Sequence, residues 1–247
     1  MKYAIQHSLS YAYDSPVRSL TQYLRLTPRD TARQKVLGWT LEAPGKPMRT
    51  QDGYGNVLHV MTVDRPVSGI MIRARGTVET SPAPDEPSDF TGTPLSPLLF
   101  LRATALTRAE GKLAGLADGF RPRAGTLAGL RELAAAIHQQ QTGRSAADLS
   151  HAFIGCCHRL GVPARYVSGY AYSTQSTDPQ VAMHAWAEAW TGERWRSFDV
   201  AHDGPIGEAH IKIAVGADYL DACPVRGVRT GGGTETLLAQ ASVVANQ

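Results

Sequence analysis

The stretch that begins at Ser145 reads SAADLSHAFIGCCHRLGVPARYVSGY, and its pattern predicts a helix followed directly by a strand. We place the helix over residues 146–160. Ser145 and Asp148 form a capping-box-like start, with aspartate in place of the usual glutamate. Gly161, with a proline two positions later, ends the helix because glycine favours the C-terminal cap and proline cannot continue a helix. The apolar run that follows predicts a strand over residues 164–172.

Helices precede strands in this half of the chain. Leucine, alanine and isoleucine side chains fall on one helical face and predict a helix over residues 126–141. Further strands are predicted over residues 182–190, 194–200 and 211–215 and, after a glycine-rich turn, near residues 237–244. Because the helices and strands are segregated along the chain, we predict an α+β fold rather than a doubly wound sheet.

The N-terminal part carries a different pattern. Apolar residues recur at every second position from Tyr3 to Tyr13, which is typical of a half-buried strand. More β-branched runs, separated by turn residues, predict an antiparallel β-sheet domain over residues 1–81. Prolines are dense in the next stretch and exclude an interior helix or central strand, so we predict a linker over residues 82–98. Residues 99–247 are assigned to the α+β core.

The composition narrows the class of protein. Of 247 residues, 43% are hydrophobic and 19% are charged, which excludes intrinsic disorder for most of the chain. A formal net charge of +3 is too small to indicate a nucleic-acid partner. Three cysteines cannot form a disulfide framework and favour a reducing compartment. The N-terminus lacks an apolar signal core, and no apolar run approaches the roughly 20 residues of a membrane span, so we expect a cytoplasmic protein without a membrane partner.

Two polar residues of the predicted strands are candidates for chemistry. If residues 191 and 192 form a two-residue hairpin loop, the antiparallel register places His184 opposite Asp199 on one face. A different loop would shift the pairing and could make the contact diagonal. An imidazole oriented by a carboxylate is the general-base half of a nucleophilic site. The alternative is an ordinary exposed ion pair, which contributes little.

A nucleophilic thiol would be expected at the start of the helix over residues 146–160, where the helix dipole lowers its pKa. That start contains no cysteine. Cys156 and Cys157 lie on the same helix, roughly 15 Å from its first residue at about 1.5 Å per residue. We therefore expect both to be core thiols.

The order of these features resembles the bacterial transglutaminase-like proteins, of the superfamily with a papain-like cysteine-protease core. The resemblance rests on Ala147–His151, Leu160–Tyr170, Met183–Glu188, Trp195–Asp199, His210–Gly216 and Pro224–Gly227 in the core, and on Tyr23–Arg29 and Asp52–Asn56 in the N-terminal domain. It covers nearly the whole chain. It implies a central helix packed on an antiparallel sheet, preceded by an N-terminal β domain.

The family motif Cys-x-Asp-x-Ala-His at the start of the central helix can be matched residue by residue. Asp148 and His151 match its Asp and His, and a serine stands at its Ala. The position of the family's nucleophilic cysteine falls on Ala146. The resemblance also implies that His184 is the catalytic histidine and that Asp199 orients it.

The resemblance implies a cysteine peptidase or amidohydrolase that acts on a peptide, isopeptide or carboxamide bond of a peptide or protein substrate. The backbone N–H of residue 146 would help to bind the oxyanion, because it points out of a helix start. No cofactor and no metal are implied.

The alanine at the nucleophile position predicts that this chain is inactive, because a methyl group can neither attack a carbonyl nor form a thioester. Three explanations stay open. In the first, the cysteine was replaced on purpose to give an inert form. In the second, the chain is a natural pseudoenzyme, a non-catalytic binding or scaffolding protein that uses the same cleft. In the third, Ser145 acts as a nucleophile in a shifted register, although a serine there is more simply an N-cap.

Overall fold

The computed structural model describes residues 1–82, 95–172, 183–202 and 206–246. The strands are β1 (Lys2–Leu24), β2 (Gln34–Glu42), β3 (Met48–Gln51), β4 (Val57–Val63), β5 (Val67–Thr80), β6 (Ala164–Ala171), β7 (Met183–Thr191), β8 (Arg194–Phe198), β9 (His210–Gly216), β10 (Val225–Gly231) and β11 (Glu235–Asn246). The helices are α1 (Gly111–Gly119), α2 (Leu127–Gln140), α3 (Ala146–Arg159) and α4 (Tyr219–Ala222). These elements form an α+β fold with two antiparallel sheets, which confirms the predicted class.

The larger sheet is organised by β1, which has 23 residues. The order of its strands is β2-β5-β1-β4-β3, and β10 and β11 also pair with β1. Every second residue of β1 from Tyr3 to Tyr13 is buried, as the period-two pattern predicts. The N-terminal antiparallel sheet is therefore present as expected.

The last two strands, β10 and β11, belong to the larger sheet, although residues 99–247 are predicted to form the core. They pair with β1, with Leu24 opposite Val225 and Lys2 opposite Asn246 at the ends of the two ladders. The physical reason is the length of β1, whose backbone offers a pairing edge along its whole course. The domain boundaries at residues 81 and 98 stay a prediction, and most of the linker predicted over residues 82–98 lies outside the described residues.

Helix α3 begins and ends as its sequence predicts. Ser145 is the N-cap, and its Oγ accepts the backbone N–H of Asp148 at 3.1 Å. Gly161 follows the helix with φ 74°, a left-handed conformation that favours glycine. The face of α3 that includes Phe153 and Ile154 is fully buried in the main core.

The smaller sheet has the order β8-β7-β6-β9 and lies under α3, which packs on β6 and β7. Its strands are almost entirely buried, because one face meets the helices. This sheet and α3 form the predicted arrangement of a central helix on an antiparallel sheet.

The hairpin between β7 and β8 differs by one residue from the predicted loop. The loop residues are Gly192 and Glu193, with φ of 59° and 64°, so that Thr191 pairs with Arg194. Two positive φ angles are the requirement of a type I′ turn, and β-branched Thr191 is ill suited to either position. The register therefore shifts by two residues, which preserves the face on which each side chain lies.

The outer edge of β9 is covered by two side-chain amides from the N-terminal sheet domain. Gln34 Nε2 donates to the carbonyl of Lys212 at 2.9 Å, and its Oε1 accepts the Lys212 N–H at 2.8 Å. Asn56 makes the same pair of bonds with Val215, at 2.7 and 2.8 Å. The two amides thus satisfy an edge that would otherwise lack partners. Asn56 belongs to the Asp52–Asn56 motif, whose Asp52 accepts the Asn56 backbone and side-chain N–H groups.

A buried charge network ties β6, β7 and β9 together. Glu188 is fully buried and accepts hydrogen bonds from Arg165, Lys212 and Ser197. Arg165 lies over the Trp195 ring at 4.1 Å. Burial alone would raise the pKa of Glu188, but the two adjacent cations outweigh burial and hold this pKa well below its ordinary value.

Replacing Asn56 by leucine should destabilise the protein. The substitution leaves the N–H and C=O of Val215 buried without their partners, and each such group costs about 1–3 kcal/mol. We expect the free energy of unfolding, measured by urea denaturation, to fall by about 2–4 kcal/mol. Gln51→Ala, on the exposed strand β3, is the control and should change it by less than about 0.5 kcal/mol. An Asn56→Leu loss as small as the control's would contradict the importance of the amide contacts.

Replacing Glu188 by glutamine should be costly, because it removes the buried negative charge that accepts hydrogen bonds from Arg165 and Lys212. We expect a loss of about 3–5 kcal/mol in unfolding free energy at pH 7. The depressed pKa of Glu188 means that its stabilisation is fully present above the ordinary pKa of a glutamate, about 4.3, and is lost as the pH falls toward the folded-state value.

When the pH is lowered from about 5 to 3, the Glu188→Gln variant should therefore lose less unfolding free energy than the unchanged chain. Glu132→Gln, in the exposed pair with Arg123, is the matched control and should cost at most about 1 kcal/mol. Equal losses for the two variants would show that the buried network does not stabilise the sheet.

Candidate active site

The start of α3 holds the predicted nucleophile position. Ala146 is the first residue of the helix and packs, partly buried, against the main core. The hydroxyl of Ser145 beside it accepts the N–H of Asp148 and donates to Asp148 Oδ2 at 2.8 Å. This hydroxyl is thus committed to capping the helix.

His184 and Asp199 meet, as the hairpin count predicts. His184 Nε2 lies 2.8 Å from Asp199 Oδ2, with both residues on the smaller sheet. His184 is near the start of β7, and Asp199 follows the last residue of β8. Because the observed register is offset by two residues, the contact is diagonal rather than directly across the strands. The exposed-ion-pair alternative does not apply, since the Asp199 side chain is only 1% exposed.

The buried Asp199 carboxylate has more partners than one histidine. Its Oδ2 is also contacted by His202 Nδ1 at 2.8 Å and by His210 Nε2 at 3.0 Å. Its Oδ1 accepts the backbone N–H groups of Ala201 and His202. Burial would raise the pKa of Asp199, but the hydrogen bonds and charges of the histidines outweigh burial and hold this pKa far below its ordinary value. Asp199 is therefore an ionised hydrogen-bond acceptor at neutral pH.

The ring of His210 is fixed in one tautomer. The backbone N–H of Gly207 donates to His210 Nδ1 at 3.3 Å, so this nitrogen must be unprotonated. The ring proton is consequently on Nε2, from which it is donated to Asp199 Oδ2. His210 thus donates a second imidazole hydrogen bond to the carboxylate oxygen that His184 contacts.

A tryptophan packs beside the histidines and depends on a glycine. Gly169 is the residue paired with His184 across β6 and β7. A Cβ at this position would lie 2.5 Å from the Trp186 ring and 2.2 Å from the carbonyl oxygen of Ile211. The absent side chain leaves room for the indole, whose ring centroid is 6.2 Å from that of His184 and 5.5 Å from that of His210.

His151, which matches the histidine of the family motif, is not among the described hydrogen-bond partners of Asp199. Its Nε2 accepts the backbone N–H of Tyr219 at 3.1 Å, and its ring stacks on Tyr166 with centroids 4.9 Å apart. Burial lowers its pKa, with Asp218 and Asp148 acting in the opposite sense. His151 thus joins α3 to α4 and supports the helix rather than the carboxylate.

The three cysteines are free and buried, which confirms the prediction that Cys156 and Cys157 are core thiols. Burial raises the pKa of Cys156 to about 12 and that of Cys157 well above its ordinary value. The pKa of Cys223 is also raised, chiefly by burial. None of these thiols is an activated nucleophile.

Sequence reasoning missed the part played by His202 and His210 at Asp199. His202 stands three residues after Asp199, a spacing short enough for a turn to return its ring to the carboxylate. His210 contributes to the family resemblance, but no local pattern connects it with Asp199. The available signal was the presence of two further histidines within 11 residues after Asp199.

The donor set could also hold a metal ion. One potential ligand atom from each of His184, Asp199 and His202 lies within 4.8 Å of the other two, which makes this group the candidate metal site among the described residues.

No helix in the described part of the chain has both the length and the apolar character that crossing a membrane requires.

Comparison with protein families identifies two matching regions. Residues 3–79 match the bacterial transglutaminase-like N-terminal region, and residues 117–200 match the transglutaminase-like superfamily. The second region contains Ala146, His184 and Asp199.

The chain is also similar to uncharacterized mycobacterial proteins. One from Mycobacterium leprae is 28% identical and aligns with 94% of this chain and 95% of its own length. One from Mycobacterium tuberculosis (strain H37Rv) is 28% identical over 92% of this chain and 87% of its own length.

Among solved structures, a chain from Cytophaga hutchinsonii described as "a Putative Cysteine Protease" has the same fold. Its TM-score is 0.72 at 19% identity, and the match covers 100% of this chain and 92% of that chain. A likeness at this identity concerns the fold alone. The two family matches are nevertheless consistent with it along the chain, with the first in the larger sheet and the second across α1 to β8. The chain therefore carries a bacterial transglutaminase-like N-terminal region at residues 3–79 and a region of the transglutaminase-like superfamily at residues 117–200.

Proposed function

We propose that this site is a transglutaminase-like cysteine peptidase or amidohydrolase site, built for a peptide, isopeptide or carboxamide bond, in which Ala146 occupies the nucleophile position. The chain as it stands is then inactive in covalent catalysis. The observation that carries the proposal is the 2.8 Å contact between His184 Nε2 and the buried Asp199 carboxylate.

In this contact the His184 ring is oriented as a nucleophilic site requires, with one nitrogen on the carboxylate and the other available. His184 directs Nε2 at Asp199, so its other ring nitrogen, Nδ1, remains to exchange a proton with a nucleophile or leaving group. With a thiol at position 146, His184 would take the thiol proton and later protonate the leaving amine. Asp199 would hold the imidazole in the correct tautomer throughout.

The start of α3 supports the same interpretation. The helix N-terminus favours a thiolate through its dipole and offers backbone N–H groups for an oxyanion. Ala146 is at that start, and α3 packs directly on the strand that carries His184. The shifted-register alternative is weak, because the Ser145 hydroxyl is bound to Asp148 on both its donor and acceptor sides.

The Ala146→Cys substitution tests this proposal without a known substrate. The unchanged chain should show no fast reaction with iodoacetamide, because all three cysteines are buried. The variant should gain one thiol of depressed pKa, with an inflection in alkylation rate below about pH 7.5. We would measure the alkylation rate from pH 5 to 10, in EDTA, and locate the labelled residue by mass spectrometry.

His184→Ala in the Ala146→Cys background is the matched control. It should move the inflection upward, because the imidazolium partner is removed. If the thiol introduced at position 146 titrates near about 8.5 in both proteins, the proposal is overturned, and the natural pseudoenzyme becomes the better interpretation.

A further inference from the structure

We propose that His184, Asp199 and His202 form a binding site for a divalent transition-metal ion, with zinc as its preferred occupant. The proposal concerns the chain with Ala146 and does not depend on the thiol chemistry, although two of the three residues are shared with it.

The first argument is the number of imidazoles at one carboxylate. A triad needs one histidine on its aspartate, whereas Asp199 Oδ2 is approached by three ring nitrogens at 2.8–3.0 Å. Two histidines and one carboxylate are a common ligand set for catalytic zinc, which leaves the fourth tetrahedral position for water or substrate.

The second argument is that the three histidines differ in what else they bind. His210 Nδ1 accepts the Gly207 N–H, which keeps the ring proton on the nitrogen that faces Asp199. That nitrogen is therefore a donor and cannot also be a metal ligand. His210 instead orients the carboxylate, as outer-shell partners of metal ligands do. In His184 and His202, the ring nitrogen that does not face Asp199 has no hydrogen-bond partner among the described residues. The ring proton can therefore move to that nitrogen and leave the nitrogen facing Asp199 free to bind a metal.

The third argument concerns geometry and mobility. Imidazole nitrogens bind zinc at about 2.0–2.1 Å, which places neighbouring tetrahedral ligand atoms about 3.4 Å apart. The candidate ligand atoms all lie within 4.8 Å of one another, and His184 Nε2 and His202 Nδ1 each lie 2.8 Å from Asp199 Oδ2, so these two contacts must lengthen by about 0.6 Å to admit an ion. His202 can supply most of that movement, because its side chain is 67% exposed while those of the other two ligands are largely buried.

The fourth argument is that Asp199 is already positioned. Its Oδ1 is held by the N–H groups of Ala201 and His202, and this leaves Oδ2 directed toward the imidazoles. The His184 ring and the His202 ring are next to each other, with centroids 4.8 Å apart. A nitrogen-rich, borderline-soft donor set of this kind favours zinc over magnesium or calcium, which prefer oxygen ligands.

Metal titration of the tag-free, EDTA-washed full chain tests the proposal. Zn²⁺ should bind with one equivalent by calorimetry, and Co²⁺ should give visible absorption bands that Zn²⁺ abolishes. His202→Gln should weaken Zn²⁺ binding at least about tenfold, since even outer-shell substitutions cost 10- to 100-fold. Asp199 keeps its bonds from His184, His210 and two backbone N–H groups, so this variant should keep most of the thermal stability of the unchanged chain.

His59→Gln is the matched control, since it removes a half-buried imidazole on β4, in the other sheet. It should leave Zn²⁺ affinity unchanged. Less than a tenth of an equivalent bound, or equal affinity in the chain and His202→Gln, would overturn the metal site. Such a result would leave the Ala146→Cys experiment untouched, because that measurement is made in EDTA. A thiol that fails to show a depressed pKa would equally leave zinc binding intact.

Discussion

The site depends on the hydrogen bonds that surround the buried carboxylate of Asp199. A carboxylate in this position requires several donors, because an ion removed from water without them is very costly. The backbone N–H groups of the turn after β8 supply two donors, and the imidazoles supply the others. The position and tautomer of His184 follow from this demand, since an acceptor-only group selects the ring nitrogen that carries a proton.

The N-terminal domain supports the position of His210, and through it the Asp199 carboxylate, although none of its described residues is a hydrogen-bond partner of that carboxylate. Arg33 is buried and donates to the backbone carbonyls of Gly207 and His210, at 2.8 and 2.9 Å. His210 in turn donates to Asp199. The amides of Gln34 and Asn56 bind the edge of β9, the strand that begins at His210. The N-terminal sheet thus forms a frame of hydrogen bonds that positions β9 and, through His210, the carboxylate. This frame gives a physical reason for the two domains to occur together.

Much of the fold was predictable because its signals are local. The cap at Ser145, the glycine after α3 and the alternation along β1 each depend on nearby residues, and each agrees with the structure. The face shared by His184 and Asp199 was also predictable, because a two-residue shift in register preserves side-chain direction.

The remaining features depend on contacts between distant parts of the chain. No local pattern indicates that β10 and β11 return to β1, because this pairing joins residues that are far apart in the sequence. The convergence of His202 and His210 on Asp199 is set by the turn after β8 and by the placement of β9. The network around Glu188 was likewise hidden, since single charged residues in apolar strands do not reveal their partners.

Nitrogen-15 NMR of the histidine side chains, in EDTA at pH 8, tests the central claim that Asp199 orients His184. The signal of His184 can be assigned by its loss in His184→Gln. The account predicts that His184 is in the tautomer with its proton on Nε2 and an unprotonated Nδ1, and that Asp199→Asn disturbs this preference. A His184 ring with its proton on Nδ1, or with both tautomers equally populated in the unchanged chain, would contradict it.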